Sequence, residues 1–232
     1  MTEVILDVKD QNFNIRFKAY QESLEMHMNN ERVEDQKENQ PLDPNTSREA
    51  RWTFLRRPPA FLDSIMNRIE YPKILKRIEP HVSDGQVVAD LGCGWGFYTF
   101  ALVDLVGPEG KVYSVDLSRS CIHSIQKKVI KGSYQNIEAI ASSAADVSFI
   151  KYGSVDFIFA NGLLCSMVNN REGAVNEMKR ILTPEGKAYI SLGAPPPLGL
   201  VNENEWDKIL EGFIIEDGGI YQDLWVLVSL KH

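Results

Sequence analysis

The sequence predicts an α/β fold: a mostly parallel sheet covered by helices on both faces, preceded by an N-terminal extension. Three observations predict it. From about residue 86 to about residue 192, apolar runs of strand length alternate with longer segments of helical periodicity, the pattern of consecutive strand–helix–strand units. The first of these runs ends in a glycine-rich turn that leads straight into a helix pattern, and in open parallel sheets ligands gather at such carboxyl ends of strands. Beyond residue 200 the alternation breaks, and two strand-like segments follow one helix. A chain of 232 residues suits one domain of this kind plus an extension, and is long enough to bury a sizeable core.

In order along the chain, Val4, Leu6 and Val8, then Phe13, Ile15 and Phe17, alternate as half-buried strands do, while Phe17, Tyr20, Leu24 and Met28 also fit a helix face. The expectation is a hairpin followed by a helix. Lys37 to Ser47, with Pro41 and Pro44 among polar residues, reads as a linker. Pro58-Pro59 separates two helices, around Arg48–Leu55 and Ala60–Ile69, and Pro72 opens another that ends before Pro80. Strands are expected near 86–91, 111–116, 136–141, 154–160 and 186–192, and helices near 96–106, 118–131 and 170–182. After a helix at about 202–212, Phe213–Glu216 and Asp223–Leu230 read as strands separated by a Gly218-Gly219 turn.

The turn after the first strand of the alternation carries the most chemistry. Val88-Ala-Asp-Leu-Gly-Cys-Gly-Trp-Gly96 places glycine at 92, 94 and 96. Bare backbone can approach a ligand closely there, and a helix beginning at Phe97 offers unpaired N–H groups. A nucleotide-like ligand is implied. The dinucleotide spacing G-x-G-x-x-G is not met, because Phe97 stands where its third glycine belongs. Twenty residues past Gly96 the strand Lys111-Val-Tyr-Ser-Val ends in Asp116, whose carboxylate can accept from two ribose hydroxyls. The same residue would also serve as a cap for the helix beginning near Ser118; the glycine loop beside it favours the ligand role.

Five motifs in order, Asp90-x-Gly92-x-Gly94-x-Gly96, Gly107-Pro-Glu-Gly110, Val115-Asp116-Leu117-Ser118, Asp156-Phe-Ile-Phe-Ala-Asn161 and Glu177-Met-Lys-Arg-Ile-Leu-Thr-Pro-Glu-Gly186, resemble those of class I S-adenosylmethionine-dependent methyltransferases. The resemblance runs from about Tyr71 to Leu230 and is nearest to the small-domain branch related to ubiquinone-biosynthesis methyltransferases. It implies a doubly wound, mostly parallel seven-stranded sheet closed by a C-terminal antiparallel hairpin, with residues 71–232 as the cofactor-binding domain; residues 1–70 form an extension whose amphipathic segments, linker and basic cluster lead to the expectation that it covers the substrate. It implies S-adenosylmethionine as cofactor: the methionine arm against Gly92, Cys93, Gly94 and the backbone near Asn161, with Asp90 ordering the loop or meeting the amino group; the ribose on Asp116; the adenine between Leu117 and the loop Ser143-Ala144-Ala145. Relatives usually carry an acidic residue in that loop, where this chain has Ala144. The carboxylate contact is therefore not expected, and Asp146 or the Ala145 amide is left to meet the ring.

Trp95, Tyr98 and Cys165 are candidates for the acceptor mouth, whereas Phe97 and Met167 read as core. Cys165 has no paired histidine and reads as a small buried residue. No dedicated general base is evident, and Asn161-Gly-Leu-Leu-Cys-Ser-Met does not match the Pro-Pro-aromatic motif of adenine methylases. Ala194-Pro-Pro-Pro197-Leu-Gly is a short insertion where relatives place a substrate lid.

A net charge of −7 argues against unspecific nucleic-acid affinity. A basic stretch of Arg48, Arg51, Arg56, Arg57, Arg68, Lys73, Lys76 and Arg77 fits an acidic acceptor or partner, although solvated helix faces are the simpler reading. Three cysteines without a CxxC pair and four histidines without ligand spacing support neither a disulfide framework nor a zinc site. No window approaches the roughly 20 apolar residues of a membrane helix, and a cytoplasmic location is expected. The acceptor, a small molecule or a protein side chain, is left open. The competing readings are a non-catalytic subunit of the same fold, kept alive by Ala144, and an NAD-linked oxidoreductase, disfavoured by Phe97 and by the terminal strands.

Overall fold

The computed structural model describes residues 4–5, 72–167, 170–192, 201–221 and 223–231. The rest of the expected N-terminal hairpin beyond Ile5, the expected helices and linker of residues 6–71, the substrate cover, most of the basic stretch and the 194–199 insertion lie outside the described residues. Among the described residues no helix is long and apolar enough to cross a membrane.

The strands, in chain order, are β1 (Val4–Ile5), β2 (Val87–Leu91), β3 (Lys111–Asp116), β4 (Ile137–Ala141), β5 (Val155–Asn161), β6 (Leu182–Ser191), β7 (Phe213–Tyr221) and β8 (Asp223–Leu230). The helices are α1 (72–78), α2 (Phe97–Val106), α3 (Arg119–Gly132), α4 (Leu163–Ser166), α5 (Arg171–Ile181) and α6 (Glu203–Leu210). They form one sheet in the order β1-β7-β8-β6-β5-β2-β3-β4. The pairs β6/β5, β5/β2, β2/β3 and β3/β4 are parallel; those of β8 with β6 and β7 are antiparallel. The seven expected strands are all present. Val4–Ile5, within the first strand expected of the N-terminal hairpin, adds a two-residue eighth, antiparallel to β7 at Ile220 and Gly219.

Helices cover both faces. On one, Ala174, Val175 and Met178 of α5 and Trp206 and Ile209 of α6 pack on Ile158, Ile190 and Val226. On the other, Ile74 and Ile78 of α1 and Leu102, Val103 and Val106 of α2 pack on Val88, Phe157, Tyr189 and Trp225. The helix starts are set locally. The Ser118 hydroxyl accepts from the Cys121 N–H, and Asn202 with Glu205 forms a reciprocal capping box.

Two expected boundaries move. Strand β6 begins at Leu182, not near 186, because the chain advances from Leu182 to Lys187 while its partner advances only from Val155 to Phe157. Pro184, which has no N–H for a ladder, sits in that irregularity. The hairpin turn also lies elsewhere than Gly218-Gly219, since both glycines are inside β7. Gly219 pairs with Trp225, and a Cβ on it would stand 3.0 Å from the indole Nε1. The glycine is there to make room for the indole.

Candidate cofactor site

Strand β2 pairs with β3 on one side and β5 on the other, and the chain winds outward from this point in both directions. Such a switch point opens a crevice at the strands' carboxyl ends. A cavity of about 320 Å³ lies there, lined by Asp90, Gly92, Cys93 and Gly94 of β2 and its loop, Trp95, Phe97 and Tyr98 at the start of α2, and Phe159 and Asn161 of β5.

The loop is held by its own backbone. The N–H groups of Gly92 and Cys93 both donate to the Val115 carbonyl, at 2.8 and 3.1 Å, and Gly96 N–H donates to the Cys93 carbonyl at 2.9 Å. Asp116 clamps the loop to β3: one carboxylate oxygen accepts from Gly94 N–H at 2.9 Å and the other from Ser118 N–H at 2.7 Å. Each oxygen keeps a lone pair for a ligand hydroxyl. Gly92, Gly94 and Gly96 all have positive φ. A Cβ on Gly94 would meet nothing within 4 Å, whereas on Gly96 it would stand 2.7 Å from Ile125 of α3. Gly94 thus keeps the crevice open, and Gly96 lets the neighbouring helix close in.

Asp90 is 2% exposed. The Thr99 hydroxyl donates to its Oδ2 at 2.6 Å, and the Ser114 hydroxyl donates to that of Thr99 at 3.0 Å. Burial pushes the Asp90 carboxyl up to about 7; the Thr99 hydrogen bond opposes this and the Asp116 charge adds to it. Burial likewise pushes the Cys93 thiol well above its ordinary range, so it behaves as a packed small residue. Asn161 accepts from the buried Ser191 hydroxyl at 2.7 Å through Oδ1, which leaves its amide NH2 to the cavity.

Ser142 N–H donates to the Asp116 carbonyl at 3.1 Å, setting the loop after β4 beside β3. In that loop Ser143 Oγ accepts from Ala145 N–H at 3.2 Å, so a ligand would have to take that amide from the hydroxyl. Ala144 is buried in the main core, where a carboxylate would be desolvated, and this accounts for the missing acidic residue. Asp146 is exposed. The Glu177–Arg180 pair of α5 fixes the loop from behind: Glu177 accepts from Val147 N–H at 2.9 Å, and Arg180 donates to the Val147 and Ile150 carbonyls. The hydrogen bond from Arg180 holds the Glu177 carboxyl below its usual range.

The structure therefore brings Asp90, Gly92, Cys93, Gly94, Trp95, Tyr98 and Asn161 to one cavity, joins Asp116 and Leu117 to it through Gly94, and sets Ser143, Ala144 and Ala145 beyond Asp116. Cys165 is not brought to it. Its thiol is buried and donates to the Gly162 carbonyl at 3.1 Å, because α4 turns that side chain back on the preceding turn. Phe97, expected in the core, is 43% exposed at the cavity mouth, as is Trp95; it is the first residue of α2, too close to the turn to reach the sheet. Met167 packs against the core as expected. Thr99, Ser114, Phe159 and Ser191 were not anticipated. Phe159 joins the mouth to a column of rings, touching Tyr98 at 4.9 Å and stacking on Tyr189, which stacks on Trp225 under the Arg77 guanidinium. Among the described residues no group of histidine, cysteine and carboxylate side chains is arranged to hold a metal.

The model of a family described as a methyltransferase domain matches residues 82–211. The demethylmenaquinone methyltransferase of Geobacillus sp. (strain WCH70) is 28% identical over 122 residues, covering 51% of this chain and 50% of that protein. The arsenite methyltransferase of Aquipseudomonas alcaligenes is 24% identical over 192 residues, 75% of this chain and 53% of that one. The chain thus spans about half the length of these curated relatives. A crystal structure of a SAM dependent methyltransferase from Aquifex aeolicus superposes with a TM-score of 0.61 at 25% identity, over 80% of this chain and all of that one. With the glycine loop at the switch point, the carboxylate ending β3 and the antiparallel pair β7/β8 all in place, the chain belongs to the class I S-adenosylmethionine-dependent methyltransferases, a family of enzymes whose cofactor is S-adenosylmethionine.

Proposed function

We propose that this chain transfers a methyl group from S-adenosylmethionine to a small-molecule acceptor, with the cavity at the β2/β5 switch point as its active site. The observation that supports this most is the pairing of two carboxylates, Asp90 and Asp116, with an open glycine loop on one side and an aromatic mouth on the other. When bound, S-adenosylmethionine supplies a methyl carbon activated by its sulfonium. Asp116 accepts from the ribose hydroxyls, Leu117 and the Ser143–Ala145 loop flank the adenine, and the Gly92–Gly94 backbone with the Asn161 amide receives the amino-acid arm. Trp95, Phe97 and Tyr98 exclude water, align the acceptor and offer ring faces to a sulfonium.

A small, flat, apolar acceptor fits this mouth better than a metalloid. Soft metalloids seek thiolates, and all three cysteines of the chain are buried. The deciding experiment is formation of S-adenosylhomocysteine with small-molecule and protein fractions of a cell extract. Turnover confined to the small-molecule fraction is the expected result. Turnover only with protein would reassign the acceptor, and cofactor binding without turnover in any fraction would make the chain a non-catalytic subunit.

Asp116→Ala is expected to weaken S-adenosylhomocysteine binding by about 10- to 100-fold, the loss of a charge-assisted hydrogen bond. Calorimetry alongside thermal unfolding separates this from loosening of the loop that Asp116 clamps. Unchanged affinity would leave Asp116 as a clamp alone.

A further inference from the structure

The hydroxyls of Thr99 and Ser114 stand out because the functional reading above does not use them. Both are fully buried. They form one chain that ends on the buried carboxylate of Asp90 at the glycine loop: Ser114 Oγ donates to Thr99 Oγ1 at 3.0 Å, and Thr99 Oγ1 donates to Asp90 Oδ2 at 2.6 Å. The hydroxyls come from α2 and β3, so this chain crosses from helix to sheet directly under the cavity. Among the described residues Asp90 Oδ1 has no hydrogen-bond partner, and Asp90 lines the cavity. Among the described residues, the titratable groups that act on it or line the same cavity are the Asp116 carboxylate of β3, the Cys93 thiol of the loop and the Tyr98 hydroxyl of α2; in register it is flanked by Ser114 on β3 and Phe159 on β5. None of these groups is a cation.

We propose that Thr99 and Ser114 are positioning residues that act through Asp90: they hold Oδ2 inward so that Oδ1 meets a protonated amine in the cavity, and cofactor binding is thereby coupled to loss of a proton from Asp90. The proposal rests on the assignment of the cavity to S-adenosylmethionine, whose amino-acid arm carries such an ammonium. The coupling has a definite sign. In the ligand-free protein burial holds the Asp90 carboxyl near 7, so below that pH it is protonated and neutral. An ammonium beside it favours the carboxylate, so binding expels the proton to solvent and affinity falls as pH drops through about 7. The Thr99 hydroxyl stabilises the carboxylate, and without it the fall begins at higher pH.

The test is calorimetric binding of S-adenosylhomocysteine, which keeps the ammonium and lacks the sulfonium, from pH 5.5 to pH 9. The proteins compared are wild type, Thr99→Val, Thr99→Ser and Ser114→Ala, each confirmed to fold by circular dichroism. At pH 6.5, titrations in two buffers of different ionisation enthalpy should show release of part of a proton by the wild type. Thr99→Val is expected to lose about tenfold in affinity at pH 6.5 and less than about threefold at pH 9, a displacement of the profile by about one pH unit. Thr99→Ser should restore the wild-type profile, and Ser114→Ala should fall between. Equal weakening by Thr99→Val at every pH would reduce the two hydroxyls to packing and overturn the proposal, as would binding without proton release. Failure of the wild type to bind at any pH would overturn the cofactor assignment itself, and the proposal with it. If Thr99→Val does not fold, the Ser114→Ala profile and the wild-type proton count decide.

Discussion

Asp90→Asn is expected to stabilise the ligand-free protein at pH 8.5 by about 3–4 kcal/mol while costing it most of its cofactor affinity. The folded protein holds the Asp90 proton up to about 7, whereas the free carboxyl gives it up near 3.8. A raised carboxyl contributes stability that is fully present below the unfolded value and is lost as pH rises through the folded one. At about 1.4 kcal/mol per pH unit, the ionised, buried group costs about 4 kcal/mol above pH 7. Asparagine has the same shape, still accepts from Thr99 and does not ionise. Urea unfolding of both proteins at pH 4.5 and pH 8.5 checks this: the variant should lead clearly at the higher pH and little at the lower. An equal gap at both would mean that Asp90 does not titrate between them. The expected gap, confined to the higher pH, makes the wild-type residue a case of stability given up for binding, as functional sites commonly show.

Gly96→Ala is expected to destabilise the fold by about 3 kcal/mol, from the strain of a side chain at positive φ and the overpacking it forces. The backbone there has φ +78, and the new methyl group would lie 2.7 Å from Ile125 Cγ1 and 3.0 Å from its Cδ1. Gly94→Ala is the instructive companion. Its φ is +52 and the space around it is open, so it should cost only about 1 kcal/mol of stability while projecting a methyl group into the cavity and weakening cofactor binding. Thermal unfolding and calorimetry on the two variants should show opposite patterns. If Gly96→Ala were tolerated as well as Gly94→Ala, helix packing would not depend on the absence of a side chain at 96.

The contrast between these glycines also marks what local sequence reveals. Glycine at 92, 94 and 96 after an apolar run identifies the loop because its requirement is local: backbone at positive φ before a helix. Apart from the single turn of α4, strand and helix positions from Val87 to Ile181 are legible for the same reason, as is Asp116 at the end of β3. The misplaced hairpin turn shows the limit. Gly218-Gly219 has the composition of a turn, but Gly219 answers to Trp225 across the ladder, a demand that no window around residue 219 contains. Thr99, Ser114 and Ser191 were hidden likewise. Each is an ordinary hydroxyl in its own segment and gains a role only when register places it against Asp90 or Asn161. The exposure of Phe97 is not legible in the sequence, because a single aromatic at the first position of a helix has no periodicity to show which way it faces.

The insertion of β8 between β6 and β7 sets an order on how the sheet can be completed. Strand β7 has no ladder to β6 of its own; its partners are β8 and, on the far side, Val4–Ile5. On the ribosome, β7 emerges before the strand that must seat it, and β1, made earlier than either, must wait for both. The parallel strands from β2 to β6 can pair as they appear, but the β7 edge is seated only after β8 has been synthesised, and Val4–Ile5 is drawn against residues made long after it. Such a contact, separated by more than two hundred residues of chain, makes the β7 edge the slow and exposed step of assembly.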